Sequence, residues 1–238
     1  MNTLVIGAGG GIGQAICRAA LDRGDTVIAV SRGRVPLQHE RLRHLKGAAN
    51  EQEVAAVVQQ LDDYRGQVQR VVITTGVLHS DAEPRLFPEK RFEDISAQQL
   101  ERSLAVNTVL PLLWVARLLP VLKGGEHCVL AALSARVGSI GDNRLGGWYS
   151  YRSSKAALNM ALQTAAVEYA RRAANVKLLA FHPGTTDTAL SRPFQASVPD
   201  GKLFTPEFVA AQLLSISDDL VPDGTLSYLD WQGAPINW

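Results

Sequence analysis

Tyr151 and Lys155 stand four residues apart, in the stretch Tyr151-Arg152-Ser153-Ser154-Lys155. On an α-helix, residues i and i+4 lie on one face, so the spacing predicts an ammonium held beside a phenol. A phenol ordinarily titrates near pH ~10, and a nearby positive charge favours the phenolate and lowers its pKa. The pair therefore predicts a tyrosine that works as a general acid or base near neutral pH. The alternative is an amphipathic surface tyrosine with an incidental lysine.

A glycine-rich stretch near the amino end indicates what lies beside that tyrosine. Gly7, Gly11 and Gly13 follow the apolar strand 4–6 and open a helix that we predict over about 12–23. Glycine allows a tight turn and a close approach of the backbone to a pyrophosphate, and the helix directs its free amides and positive dipole end there. A strand before and a helix after favour a nucleotide site over a glycine turn without a ligand.

The end of the second predicted strand indicates which nucleotide is preferred. It runs Val30-Ser31-Arg32-Gly33-Arg34 and has no carboxylate to accept a hydrogen bond from a ribose 2′-hydroxyl. Ser31 and Arg32 suit a 2′-phosphate, because a guanidinium offers fixed donors that are always charged. The motif favours NADP(H) over NAD(H). The alternative for Arg32 is an ordinary solvated arginine.

Strands and helices alternate along the chain, without an internal linker or a low-complexity run. We predict strands over 4–6, 26–30, 70–74, 128–133, 176–181 and 226–229, and helices over 12–23, 51–64, 96–119 and 151–172, with another opening at Thr205. The segment 32–47 is basic and irregular, with room for a short helix or strand. This alternation predicts an α/β protein, a single domain over 1–238 with a doubly wound parallel sheet and helices on both faces.

Composition narrows the classes of partner. With 46% hydrophobic and 20% charged residues among 238, and a net charge of +1, the chain is typical of a soluble globular protein with no bias toward nucleic acid or membrane. The apolar stretch 109–122 contains Arg117 and two prolines and is too short to span a bilayer. A strand from about residue 3 leaves no room for a signal peptide. Cys17 and Cys128 are expected to be reduced core residues of a cytoplasmic protein, and the histidine spacing predicts no metal site.

Several motifs in order resemble the short-chain dehydrogenase/reductase superfamily, over essentially the whole chain. They are the turn Gly7-x3-Gly11-Ile12-Gly13, then Thr74-Thr75-Gly76, Asn107, Ser134, Tyr151-x3-Lys155 and Pro183-Gly184-x3-Thr188. A finer resemblance, to the C-factor and sniffer-like carbonyl reductases, rests on Ser134 to Ile140, on Gly146-Gly147-Trp148-Tyr149-Ser150-Tyr151-Arg152 and on Leu229-Asp230-Trp231. The resemblance implies a Rossmann fold and an oxidoreductase.

The resemblance also implies a role for each motif. Tyr151 would donate a proton to the substrate oxygen in reduction or accept one in oxidation. Lys155 would lower the pKa of Tyr151 and hold the nicotinamide ribose, and Asn107 would join a proton relay through water. The glycine turn with Ile12, Ser31, Arg32, Thr75, Gly76, Pro183, Gly184 and Thr188 would bind the cofactor.

The serine region departs from the family pattern. The family serine lies three residues before a glycine, and counting back from Gly138 reaches Ala135. Ser134 is adjacent and Ser139 follows the glycine. Adjacent side chains on a strand point to opposite faces, so a shift of one residue matters. We favour Ser134, brought into the site by a local bulge, over Ser139.

Three loops are expected to face the substrate, over 77–79, 139–148 and 188–203. Their apolar and aromatic content favours an uncharged carbonyl compound or alcohol, although Arg136, Arg144 and Arg192 leave an acidic one open. His79 is a candidate pocket residue, and a solvated loop histidine is the favoured alternative.

The leading hypothesis is therefore an NADP(H)-dependent carbonyl reductase or alcohol dehydrogenase. One alternative is a regulatory or signalling nucleotide-binding protein with vestigial catalysis. Another is an epimerase or dehydratase, which the short segment after Thr188 disfavours. The resemblance implies a homodimer or homotetramer, for which 109–122 and 159–174 supply apolar helical surface. The alternative is that this surface packs on the sheet.

Overall fold

A seven-stranded parallel sheet forms the centre of the protein. The computed structural model describes residues 1–47, 49–83 and 85–238. Its strands are β1 (Asn2–Ile6), β2 (Thr26–Ser31), β3 (Leu42–Lys46), β4 (Arg70–Ile73), β5 (Cys128–Leu133), β6 (Val176–His182) and β9 (Leu226–Asp230), in the order β3-β2-β1-β4-β5-β6-β9. Every neighbouring pair is parallel. The predicted doubly wound sheet is confirmed, and the chain reverses its direction of winding between β1 and β4.

Two apolar cores cover the two faces of this sheet, because side chains alternate along each strand. In β1, Leu4 and Ile6 belong to one core and Val5 belongs to the other. The first core contains residues of α2 (Glu51–Gln59), α4 (Leu110–Leu122) and α5 (Tyr149–Arg172). The second contains residues of α1 (Gly11–Asp22) and α6 (Pro206–Asp219). Helices therefore cover both faces, as the alternating pattern predicts.

One long helical run differs from a regular α-helix at a polar residue. α3 (Ala97–Leu104) continues into a π-helical turn, Ala105–Val109, and then into α4. The π turn contains Asn107, which is fully buried. A π-helical turn inserts an extra residue and often occurs at a functional site. The apolar pattern predicts the helix, but the pattern alone does not predict this change of period.

The run Ala97–Leu122 spans 26 residues, so by length and composition it could cross a bilayer. The apolar stretch 109–122, expected to be too short to span a bilayer, is only the second half of this longer helical run. Its apolar side nevertheless packs in the core, where Trp114, Leu118 and Leu122 are at most 1% exposed. Core helices of globular proteins show the same composition, so this packing accounts for the apolar sequence.

Local structure differs from the sequence predictions at a few boundaries. The segment 32–47 contains a short strand, β3, which is one of the two elements that its sequence left open. The helix predicted over 51–64 ends at Gln59, before a separate 3-10 turn Asp62–Tyr64. Two short strands, β7 (Thr185–Thr186) and β8 (Leu203–Phe204), pair with each other and bracket the third loop. This loop is therefore anchored at both ends, close to the carboxyl end of β6.

Candidate active site

The glycine turn between β1 and α1 is tightly folded. Gly7 has φ +89°, a left-handed conformation that glycine adopts without strain. A Cβ at Gly13 would lie 2.4 Å from the Gly7 carbonyl oxygen, so position 13 has no space for a side chain. A Cβ at Gly11 would lie 2.9 Å from the Thr188 side chain. The turn and the distant Pro-Gly-x3-Thr motif are therefore in contact.

A cavity of about 370 Å³ begins at this turn and extends to Tyr151 and Lys155. Among the residues that line it are Gly11, Ile12, Gly13, Thr75, Gly76, Ser134, Tyr151, Lys155, Pro183 and Thr188. The first turn of α1 leaves amides without intrahelical partners, and Gly10 offers no side-chain cap. The Thr75 hydroxyl is buried and has no hydrogen-bond partner within the described residues. Free amides, a hydroxyl donor and space beside glycines fit a dinucleotide.

Ser31 and Arg32 lie outside the lining of this cavity, beside the turn. A Cβ at Gly9 would lie 3.6 Å from Ser31 Cβ. The Ser31 hydroxyl donates to the Gly33 carbonyl and lies 2.9 Å from Nε2 of His44. Arg32 is exposed, and across the described parts of the chain its guanidinium makes no hydrogen bond or ion pair. Its charge is therefore available to an anionic group at the turn.

α5 brings Tyr151 and Lys155 together, as the i, i+4 spacing predicts. Lys155 Nζ lies 5.8 Å from the centre of the Tyr151 ring and donates a 2.7 Å hydrogen bond to the Leu133 carbonyl. Burial raises the pKa of Tyr151 to about 12, and Tyr228 adds to this rise. Burial also lowers the pKa of Lys155 to about 8. The expected lowering of the Tyr151 pKa is therefore not produced by the protein groups alone, because the cost of burying a phenolate outweighs the attraction of this lysine.

Asn107 connects the loop after β4 to α5. Its Oδ1 accepts a 2.7 Å bond from the Val77 amide, and its Nδ2 donates to the Val77 carbonyl at 2.9 Å and to Ser154 Oγ at 3.0 Å. A Cβ on Gly76 would lie 3.5 Å from Asn107 Oδ1 and 3.8 Å from Lys155 Nζ. Asn107 therefore lies behind the cavity wall, near the lysine, with its amide held by three bonds.

Ser134, and not Ser139, lies at the site. Ser134 is among the residues that line the cavity, at the end of β5, and its hydroxyl donates a 2.6 Å bond to Asn159 Oδ1. Ser139 is 2% exposed and its Oγ accepts from the Asp142 amide. Ala135 lines the neighbouring cavity. The shift by one residue therefore turns the serine hydroxyl toward α5, while an apolar methyl group occupies the expected position of the family serine.

A second cavity, of about 350 Å³, meets the first at Tyr151. The two share Ile12, Leu78, Ser134, Tyr151, Pro183, Thr188 and Leu190. Gly184 lines the second cavity and has φ +70°, and a Cβ there would lie 2.6 Å from the Phe204 ring. Tyr151 therefore stands at the junction of the two cavities.

Aromatic side chains close the second cavity. The Trp148 ring lies 6.2 Å from the Tyr151 ring and 5.2 Å from the Phe194 ring, measured between centres. His79 packs edge-on against Phe194 and its Nε2 lies 3.0 Å from the Ala189 carbonyl. His79 is half-buried and lines the first cavity, so the structure favours the pocket alternative over a fully solvated loop histidine. The three predicted substrate loops meet at this aromatic cluster.

Sequence reasoning missed three polar residues close to Tyr151. His182 lines the second cavity, and burial lowers its pKa to about 4, so its imidazole is neutral. Tyr228 donates a 2.6 Å bond to the Ala135 carbonyl. Glu89 is fully buried and bonds to Ser150. His182 could have been noticed beside Pro183-Gly184, but no local signal marks Tyr228 or Glu89.

The sequence model of the short chain dehydrogenase family matches residues 1–198. The match covers most of the chain, and the chain belongs to this family. It is an oxidoreductase of the class that uses a nicotinamide cofactor, and the predicted Rossmann fold is confirmed.

Similar proteins include one named as a dehydrogenase and one named C-signal. A 1-hydroxy-2-glutathionyl-2-methyl-3-butene dehydrogenase of Rhodococcus sp. (strain AD45) is 29% identical, and the alignment covers 100% of this chain and 99% of that protein. C-signal of Myxococcus xanthus is 31% identical over 61% of this chain and 82% of its own length. The resemblance to the C-factor group is therefore supported.

Solved structures show the same fold over the full chain. The carbonyl reductase Sniffer of D. melanogaster superposes with a TM-score of 0.84 at 20% identity, over 100% of this chain and 99% of its own. A short-chain dehydrogenase/reductase from Burkholderia multivorans with bound NADP has a TM-score of 0.83 at 23% identity, over 100% and 99% of the two chains.

Proposed function

We propose that the protein is an NADPH-dependent carbonyl reductase with Tyr151 as its general acid. One observation carries the proposal. Tyr151 lies where a cavity that begins at the glycine turn meets a second, aromatic cavity. A cofactor that enters from one side and a substrate that enters from the other would therefore come together at its hydroxyl.

Tyr151 would supply the proton in reduction. When bound, the nicotinamide would supply a hydride to the carbonyl carbon. Tyr151 Oη would donate its proton to the carbonyl oxygen. A phenol with a pKa raised to about 12 is protonated throughout the physiological range, so it holds the proton that this step needs. Lys155 would hold the nicotinamide ribose, and Asn107 would hold a water that passes a proton toward Lys155.

The preference for NADP(H) rests on the end of β2. Arg32 is exposed beside the turn, and the segment 30–34 contains no carboxylate that would repel a 2′-phosphate. The bound NADP of the Burkholderia protein is in line with this proposal. Thr75, Gly76, Pro183 and Thr188 would contact the remainder of the cofactor, since they line the first cavity.

The aromatic cavity favours a partly hydrophobic carbonyl compound. Its charged lining residues are Arg136 and Lys202. Arg136 is paired with Asp230 at 3.0 Å and with Asp142 at 3.5 Å, so its charge is largely balanced. Most of the remaining wall is apolar or aromatic, and burial of such surface drives binding of a neutral ligand.

Consumption of NADPH by the purified protein, measured with a panel of aldehydes, ketones and quinones, tests the function. We expect turnover with hydrophobic carbonyl compounds. Tyr151→Phe should lose about 10³-fold in kcat, within the range for removal of a general acid, and should bind NADPH nearly as well as the wild type. Turnover retained in Tyr151→Phe would exclude the proposed acid.

A second candidate, a regulatory nucleotide-binding protein with weak catalysis, is favoured by the serine region. The Ser134 hydroxyl donates to Asn159 and Ala135 occupies the expected serine position, so the substrate oxygen lacks the donor that the family pattern supplies. One relative carries the name C-signal. Tight NADPH binding without turnover across the panel would favour this candidate.

We also propose a cytoplasmic homodimer or homotetramer. Val109 and Leu112 near the start of α4, and Met160 and Val167 on α5, are exposed apolar residues that an assembly would cover. The two cysteines are free and buried. Light scattering on the purified protein tests the assembly and cell fractionation tests the location. A monomer, or recovery with membranes, would contradict this proposal.

A further inference from the structure

Glu89 is a buried carboxylate that lies outside both cavities. It belongs to the segment between β4 and α3 and is 0% exposed. A buried carboxylate is costly unless hydrogen bonds satisfy it. Its Oε2 accepts a 3.1 Å bond from the Ser150 amide, and its Oε1 accepts a short bond from the Ser150 hydroxyl. Both partners lie in the first turn of α5.

The backbone of Glu89 also bonds to the start of α5. Its carbonyl oxygen accepts a 2.5 Å bond from the Trp148 amide. Gly147, which precedes Trp148, has φ +66°, a left-handed conformation that glycine adopts without strain. Glu89 therefore forms hydrogen bonds with two neighbouring positions, Trp148, which precedes α5, and Ser150, the second residue of α5.

α5 needs an outside acceptor because it cannot cap itself. The residue that precedes it, Trp148, has φ 53° and makes no side-chain cap bond, and the first turn of α5 contains no acidic residue. A left-handed conformation is unfavourable for a tryptophan and persists only where its surroundings hold it. A carboxylate near a helix N-terminus satisfies free amides and is attracted by the helix dipole. Glu89 supplies this group from a segment that lies 61 residues away in sequence.

We propose that Glu89 is a positioning residue that fixes the first turn of α5 and thereby the hydroxyl of Tyr151. Tyr151 directly follows Ser150, and Trp148 forms the aromatic wall beside it. A displacement of about 1 Å at a reacting group can cost about 10²-fold in rate. The proposal rests on the reductase function, for which Tyr151 must meet the substrate oxygen.

The test compares three variants in one assay series with a carbonyl compound reduced by the wild type. Glu89→Ala removes both side-chain bonds, Glu89→Asp keeps the charge but is shorter by one methylene, and Glu89→Gln keeps the length. We expect Glu89→Ala and Glu89→Asp to lose at least about tenfold in kcat, with Kd for NADPH changed by less than about twofold. Glu89→Gln should recover most of the rate, because its amide reaches both Ser150 groups.

Two controls separate positioning from loss of stability. Glu93→Gln alters an exposed acid of the same segment and should leave kcat unchanged. Val121→Ala opens a cavity in the core of α4, away from the site, and should lower Tm while leaving kcat within about twofold. Loss of kcat in proportion to Tm across both Glu89→Ala and Val121→Ala would overturn the proposal. If Glu89→Ala does not fold, Ser150→Ala removes one of the same bonds and should lose about threefold in kcat.

Hydrogen exchange gives a readout that is independent of activity. We expect amides 150–152 to exchange at least about tenfold faster in Glu89→Ala than in the wild type, because Ser150 loses its acceptor. Unchanged exchange would overturn the proposal. If the wild type reduces no carbonyl compound but exchange still accelerates, the proposed reductase function has failed and Glu89 is only a structural cap.

Discussion

The two cavities that meet at Tyr151 differ in how their walls are built. The first is lined at one end by the glycine turn, where Gly10, Gly11 and Gly13 are close together in sequence. The second is made of side chains from three separated loops, with Trp148 and Phe194 as the main aromatic contacts. Part of the wall of the first cavity therefore depends on the absence of side chains at a few glycines. The wall of the second cavity depends on how distant segments pack.

This difference predicts different sensitivities to mutation. A tight glycine turn is distorted when a Cβ is added at a crowded position. Side chains around a cavity can rearrange at a smaller cost in free energy. The glycine turn at the first cavity follows the dinucleotide-binding pattern, since any dinucleotide needs a close approach of the backbone to its pyrophosphate. The chain departs from the family pattern at Ser134 and Ala135, which both line the second cavity.

The largest effect is expected from adding a methyl group to the glycine turn. In Gly13→Ala the new Cβ would lie 2.4 Å from the Gly7 carbonyl oxygen, so the backbone must move. We expect affinity for NADPH to fall by at least about 10²-fold and stability by about 1–3 kcal/mol, measured by cofactor fluorescence and thermal unfolding. Gly9→Ala is the matched control, because its Cβ would meet Ser31 at an ordinary 3.6 Å. Equal losses in both variants would contradict the crowding argument.

A smaller effect is expected at Arg32, outside the lining of the first cavity. Arg32→Ala should weaken NADPH binding by about 10- to 100-fold, the range for a lost charged hydrogen bond of about 1.5–3 kcal/mol. NADH binding should change by less than about twofold, because NADH lacks the 2′-phosphate. Arg18→Ala, an exposed arginine on α1, controls for net charge. Equal losses for both cofactors would remove the case for NADP.

The pH dependence of reduction tests the junction of the two cavities. Lys155 has a pKa lowered to about 8, so it is charged below this pH and becomes neutral above it. Tyr151, with a pKa raised to about 12, stays protonated over the same range. We therefore expect kcat/KM for reduction to be constant below pH ~8 and to fall about tenfold per pH unit above it. A profile that is flat to pH ~10 would show that the charge of Lys155 is not needed.

The smallest effect is expected at Ser134, which lines both cavities. In Ser134→Ala the lost hydroxyl is one that already donates to Asn159 at 2.6 Å, so kcat should fall by only about threefold. Ser139→Ala, at a buried serine outside the lining of both cavities, should leave kcat unchanged. A loss of about 10²-fold in Ser134→Ala would show instead that this hydroxyl turns to the substrate oxygen.

Local patterns predicted the parts of the site whose residues are close in sequence. The spacing of Tyr151 and Lys155 correctly predicted a shared helix face, and the strand-glycine-helix order correctly predicted the turn. The same reasoning missed Glu89, because its contact with Ser150 spans 61 residues and no periodicity records it. It also predicted a lowered Tyr151 pKa, whereas burial raises this pKa in the protein without cofactor. This burial depends on packing around the site.

The amino-acid sequence by itself determined the family, the order of strands and helices and the position of the turn, because these follow from spacings of a few residues. Only the tertiary structure decided which serine enters the site, where the Ser134 hydroxyl points and how α5 is capped. The physical reason is that burial and hydrogen-bond partners depend on segments that meet through folding. A buried group such as Glu89 acquires its role from neighbours that no local pattern reveals.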